Sequence, residues 1–172
     1  GPVLQRTCRA LMGVLKPAKV YACSFGETVL HVHFLVIPRL PGMPENGLDV
    51  LPELLRGKRW ACSDDEAAQI AEHLRHDLEL EGVLFHLGGW TRYGYDCRHP
   101  DIMPANPECG ANEGLSDCAR RVQAWGYLFC LHDNYQDMYR DAPSWDEACL
   151  QKDPDGSPHE GGVWLGGQAY HT

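Results

Sequence analysis

The sequence predicts an α+β arrangement followed by an α/β one: helices around an antiparallel strand pair, then strand, loop, helix and strand in the order of a parallel unit. Three observations predict it. Apolar residues recur at helical spacing in three segments. Apolar runs of strand length stand between Gly- and Pro-containing stretches. Charge and aromatic content change near residue 78: residues 1–78 carry nine Lys/Arg against nine Asp/Glu, residues 79–172 six against fifteen, so the net charge of −9 belongs to the second part. Tyr21, Phe25, Phe34 and Trp60 precede that point, and the other twelve aromatic residues follow it. The expected organisation is two segments, 1–78 and 79–172.

In the first segment, residues 3–15 have apolar side chains at helical spacing and Lys16-Pro17 as a stop. Residues 19–25 and 29–37 read as two strands joined around Gly26, an antiparallel pair. Residues 40–47, rich in Pro and Gly, read as loop. Ser63 followed by Glu66 is a capping-box signature, and Ala67, Ile70, Ala71, Leu74 and Leu78 give the next helix an apolar stripe, with His73 and His76 on its solvated flanks.

The second segment opens with Val83-Leu84-Phe85-His86-Leu87-Gly88-Gly89-Trp90, a buried strand meeting a loop. A long loop over 91–111 follows. A helix over 113–125, capped by Asn112 and striped by Leu115, Ala119, Val122 and Trp125, stops at Gly126. The strand 127–131 then delivers His132-Asp133-Asn134-Tyr135 to its C-terminal end, which completes one β/α unit with a parallel, buried sheet. Residues 146–172 show little periodicity and read as loop with one short strand at 163–165.

Composition excludes several classes. A chain of 172 residues, 44% hydrophobic and 23% charged, suffices for one ordinary domain or two small ones. It has no apolar run of about eighteen residues and no leader pattern, so a soluble protein without a membrane partner is expected. The acidic second part is a poor partner for nucleic-acid phosphates. The eight cysteines include no C-x-x-C pair and read as reduced thiols in a cytoplasmic setting. The opening Gly1-Pro2, without an initiator methionine, fits a processed, tagged or fragmentary start.

Two groups of residues carry chemistry. On a strand, His31, His33 and Leu35 share one face while Val32, Phe34 and Val36 share the other. Paired neutral imidazoles suit a nucleophile, a proton carrier or a metal pair. A metal would need a third and fourth ligand, which no recognisable spacing supplies, so neither metal nor cofactor is expected. The second group is His132, Asp133, Asn134, Tyr135 and Asp137, with Asp96 and Asp101 from the preceding loop. Polar residues just after a parallel strand are where β/α folds place their sites. Carboxylates among aromatic rings suit a carbohydrate, because rings stack on sugar faces and paired acids can protonate a leaving oxygen and activate water.

The stretch Glu27-Thr28-Val29-Leu30-His31-Val32-His33-Phe34-Leu35-Val36-Ile37-Pro38-Arg39, behind a helix and a strand, resembles the C-terminal half of the histidine-triad (HIT) nucleotide-binding proteins. The resemblance covers about residues 1–78. It implies a hydrolase of nucleotide phosphoramidates or phosphoanhydrides. In such an enzyme His33 would attack the α-phosphate beside His31, while Thr28, Val29 and His31 would contact phosphate, and subunits would pair as a homodimer. Leu35 stands at the third histidine position and Glu27 where glutamine is common. Losing one such donor costs about 3 kcal/mol of transition-state stabilisation, which leaves a non-catalytic nucleotide-binding module as an alternative.

A second resemblance covers about residues 80–172. Gly88-Gly89-Trp90, Gly94-Tyr95-Asp96, His99-Pro100-Asp101, Gly126-Tyr127, His132-Asp133-Asn134-Tyr135 and Ala142-Pro143-Ser144-Trp145-Asp146 are similar to a stretch of TIM-barrel proteins of glycoside-hydrolase type. It implies a carbohydrate ligand, with Asp133 as first candidate for a catalytic or sugar-binding carboxylate and Asp96 as second. A β/α barrel needs about 250 residues. The expected whole is therefore a partial HIT-like domain joined to a partial barrel. Of the functions implied, the nucleotide hydrolase ranks first because its motif names a nucleophile, and the glycosidase-like fragment second.

Overall fold

A computed structural model describes residues 1–24, 34–47, 49–50, 62–164 and 166–172. It is a mixed arrangement of helices and small sheets, as the sequence predicts, with no closed barrel among the described residues.

Helix α1, Pro2–Leu15, starts with proline in its first turn, where the missing N–H is unneeded, and ends at Lys16 in the left-handed conformation with φ 44°. Ala10 is its buried residue. Strands β1, Lys19–Cys23, and β2, Leu35–Arg39, pair antiparallel with Lys19 opposite Arg39 and Cys23 opposite Leu35. The sequence reading ended this second strand before Pro38, yet the strand continues through it. Pro38 lies opposite Val20 in a sheet of two strands, where each strand is an edge and a missing donor breaks no ladder. Nor is this a buried strand: Leu35 is 44% exposed and Phe34, just before it, 53%.

Helix α2, Asp64–Asp77, forms where the capping box predicts it. The Ser63 hydroxyl accepts from Glu66 N, and Ser63 N donates to the Glu66 carboxylate at 2.9 Å. Its alanine face packs on helix α3, Ala111–Ala124, in a core of Ala67, Ala68, Ala71, Cys118, Val122 and Tyr127. Strands β3, Leu84–Leu87, and β4, Leu128–Leu131, pair parallel in register and lay Phe85 and Phe129 against that core. Residues on either side of position 78 thus share one core, and Leu78 is itself buried.

Helix α3 begins two residues earlier than expected, and its cap is different. Gly110 is the N-cap at φ 140°, a conformation that glycine adopts freely, while the Asn112 side chain accepts from Ala105 N at 2.9 Å instead of capping. Tyr127, read as the first residue of β4, turns into the core and donates its hydroxyl to the Leu80 carbonyl at 2.9 Å.

The largest departure is at the C-terminal end. Residues 146–172, expected as loop with one short strand at 163–165, contribute β6, Glu160–Trp164, and β7, Gly167–His171, to a three-stranded antiparallel sheet with β5, Asp137–Tyr139, and β7 lies in its centre. Met138, Leu150 and Tyr170 make a second small core with Trp145 against it.

Candidate active site

The end of β4 is where the chain gathers polar side chains. His132 N extends the parallel ladder by donating to the Leu87 carbonyl at 2.9 Å, and the Trp90 indole donates to the His132 carbonyl at 2.6 Å. These bonds tie the loop after β3 to the exit of β4. The loop is folded on itself by Arg92 N to Ile102 O and Asn106 N to Trp90 O, and Tyr139 N on β5 donates to the His99 carbonyl at 3.1 Å. Asp96, in the left-handed conformation at φ 54°, and His99 are thereby carried to the residues that follow β4.

The result is an array centred on His99. Its ring is 1% exposed, with Nε2 3.8 Å from Asp96 Oδ1 and Nδ1 3.7 Å from Asp133 Oδ1. Neither nitrogen makes a hydrogen bond. Burial pushes the imidazole below its ordinary value of 6.5, against the opposing pull of Asp96 and then Asp133. The Tyr139 ring lies 6.1 Å from the His99 ring, and burial, then the Asp96 carboxylate, drives its hydroxyl far above the ordinary range.

Asn134 joins this array to a second carboxylate. Its amide nitrogen donates to Asp137 Oδ2 at 2.8 Å and to Asp96 Oδ1 at 3.3 Å, while its oxygen accepts from Asp137 N. Asp137 also accepts from the Trp164 indole at 3.0 Å, and its Oδ1 lies 3.6 Å from His171 Nε2. Asp137 is consequently buried, with Oδ2 accepting two hydrogen bonds. Asp133 is more open: it is 20% exposed, its Oδ1 accepts from Asn134 N at 2.8 Å, and it faces a cleft of about 310 Å³ shared with His99, Ile102, Asn134, Tyr135 and Asp137. Tyr135, 89% exposed, presents its ring at the mouth. A volume of this order accommodates a monosaccharide-sized ligand.

Asp133 and Asp96, the two carboxylates singled out in the sequence, are thus brought to one histidine. Asp101 stands apart, accepting from Ser144 N and Oγ as a loop clasp. His31, His33, Thr28, Val29 and Glu27 lie outside the described residues. Trp164 falls in the short strand expected at 163–165 and His171 in the stretch read as loop, and neither was read as a site residue. The available signal was the alternation around the Gly pairs, with Trp164 and His171 both near the end of an extended run. Among the described residues no group of three or more His, Cys, Asp or Glu is placed to hold a metal ion, and no helix is long and apolar enough to cross a membrane.

No family model matches the chain and no curated protein matches it, so the histidine-triad likeness gains no support there. Solved structures are similar. The ligand-free α-N-acetylgalactosaminidase NagBb from Bifidobacterium bifidum is 29% identical over 67% of this chain and 19% of that one, with a TM-score of 0.62. Its complex with GalNAc gives 29% identity over 65% of this chain and 18% of that one, at a TM-score of 0.61. The chain therefore spans about one fifth of the length of these structures.

Proposed function

We propose that this chain contributes a carbohydrate site of glycoside-hydrolase type, with an N-acetylated galactose residue as the sugar it takes. The observation that supports it most is the pair Asp96 and Asp133 converging on His99, at the C-terminal end of a parallel strand pair and beside a monosaccharide-sized cleft. The similarity to an α-N-acetylgalactosaminidase, 29% identical over two thirds of this chain, supports the choice of ligand.

In this reading Asp133 accepts hydrogen bonds from sugar hydroxyls, because it is the more exposed of the two carboxylates that line the cleft. Tyr135 offers a ring to the apolar face of the pyranose. Asp96 is the inner carboxylate, buried beside His99 and Asn134. In the whole protein, glycosidic-bond cleavage would use Asp133 as the first candidate acid or nucleophile and Asp96 as the second.

The test is titration of the full chain with N-acetylgalactosamine, followed by tryptophan fluorescence and calorimetry, with glucose as comparison. Saturable binding weakened about tenfold or more by Asp133→Asn is the expected result, the loss of one charged hydrogen-bond partner. No saturation at millimolar sugar, or equal affinity in the variant, would reject the proposal. Hydrolysis of an aryl α-N-acetylgalactosaminide, abolished in the same variant, would extend it from binding to catalysis.

A further inference from the structure

A neutral imidazole carries one N–H and one lone pair, and ionised carboxylates only accept. His99 has a carboxylate oxygen facing each nitrogen, 3.8 Å and 3.7 Å away, and is nearly buried in the wall of the cleft. A neutral ring can therefore answer only one of the two carboxylates, and its lone pair is set against the other. A charged ring answers both, but must hold its charge without solvent. The site is poised between these states, and Asp133, the outer and more exposed partner, lines the cleft beside His99, where a ligand would touch it.

We infer that Asp96, His99 and Asp133 form one electrostatically coupled array in which His99 is a positioning residue, and that filling the cleft drives a proton from His99 into solvent. The ligand part rests on the carbohydrate reading; the coupling rests on the array alone. The groups facing His99 are Asp96 in its own loop, Asp133 and His132 after β4, and Asp137 and Tyr139 on β5. The three carboxylates favour the charged ring and His132 opposes it. A sugar hydroxyl donating to Asp133 draws that carboxylate's field away from the ring, and a sugar displacing cleft water deepens the ring's desolvation. Both changes act in the same direction. One ring N–H bond breaks, its electron pair stays on nitrogen, and the proton passes to a buffer base.

Calorimetric titration of the full chain with N-acetylgalactosamine, at mildly acidic pH in two buffers of different ionisation heat, reads this directly. The expected result is a buffer-dependent heat corresponding to release of a fraction of one proton, lost in His99→Gln. A buffer-dependent heat of equal size in His99→Gln, or none in the wild type, overturns the inference. A second arm uses no sugar: the midpoint of the His99 ring signal by NMR in the wild type and in Asp133→Asn. A midpoint about one pH unit lower in the variant is expected when the neighbouring charge is removed, and an unmoved midpoint overturns the inference. This arm keeps His99 in place, so it decides the matter if His99→Gln does not fold. Absence of any sugar binding rejects the carbohydrate reading alone, and the NMR arm still decides the array.

Discussion

The indole nitrogen of Trp164 donates to Oδ2 of Asp137 at 3.0 Å, so a residue on β6 fixes a buried carboxylate on β5 that is not its direct strand neighbour. The same oxygen accepts from Asn134. Trp164→Phe keeps a ring but removes the donor, and a hydrogen bond to a charged group contributes about 1–2 kcal/mol. Urea unfolding should show a loss of that size. In an Asp137→Asn background the loss should shrink, because the pair is then already broken. Equal losses in both backgrounds would assign the effect to ring packing instead.

Gly166 is where the turn between β6 and β7 meets the site. A Cβ there would lie 2.5 Å from the Asp96 carbonyl oxygen, 3.1 Å from Cys97 Cα and 2.9 Å from the Tyr139 ring. Two of these neighbours are backbone and cannot rotate away. Gly166→Ala should therefore destabilise by about 1–3 kcal/mol, as overpacking does. It should weaken sugar binding as well, because Asp96 must shift. Gly82→Ala, with nothing within 4 Å, is the comparison and should stay within about 0.5 kcal/mol. Thermal unfolding of the two variants side by side checks both statements.

These glycines also explain what could be read in the sequence and what could not. The α2 capping box was legible from its local spacing, and the apolar stripes on α2 and α3 because burial of one face imposes a period on the residues. The parallel strands were read from apolar runs as a buried sheet, whereas the structure leaves Leu84 63% and Leu128 71% exposed on its open face. Gly161, Gly162, Gly166 and Gly167 read as loop signals. In the structure Gly161 and Gly166 lie within extended or turn backbone because neighbours crowd them: His171 and Asp137 at Gly161, Asp96 and Tyr139 at Gly166. Close approach between side chains distant in sequence leaves no local period, so of the third sheet only the short strand at 163–165 was legible, and the site roles of Trp164 and His171 stayed hidden. Asp133 and Asp96 stood among several polar residues gathered around the end of a strand, and the resemblance to glycoside-hydrolase barrels singled them out. The histidine that joins them was visible only as part of a loop motif, since its burial depends on β5 packing behind it.

Ser63 tests the local part of that argument. Its hydroxyl accepts from Glu66 N at 3.2 Å, and the Glu66 carboxylate accepts from both Ser63 N and Ser63 Oγ at 2.9 Å. Ser63→Ala removes the cap that starts α2 and should destabilise by about 1 kcal/mol, with Ser63→Thr restoring most of it. Circular dichroism through a thermal melt reads both. An unchanged midpoint in the alanine variant would mean that packing of Ala67, Ala68 and Ala71 on α3 holds the helix end by itself.

The pH dependence of stability should carry the signature of His99. Its folded-state value lies below 6.5 because burial outweighs the pull of Asp96 and Asp133. Between that lower value and 6.5 the unfolded chain binds more protons than the folded one, so stability rises with pH across this window. The contribution is fully present above 6.5 and is lost as pH falls through the folded-state value. One differential proton corresponds to about 1.4 kcal/mol per pH unit. Asp64 acts with the opposite sign, since burial raises its carboxyl above 3.8 and folding there favours the protonated form. Asp155, lowered by its hydrogen bonds from Ser157, has its window below 3.8. Urea unfolding at several pH values between 5 and 7.5, in wild type and His99→Gln, separates the histidine from both carboxyls because they are common to the two chains. A wild-type curve that falls more steeply toward acid than the variant's is the expected outcome; parallel curves would mean that His99 gains or loses no proton on folding in this range.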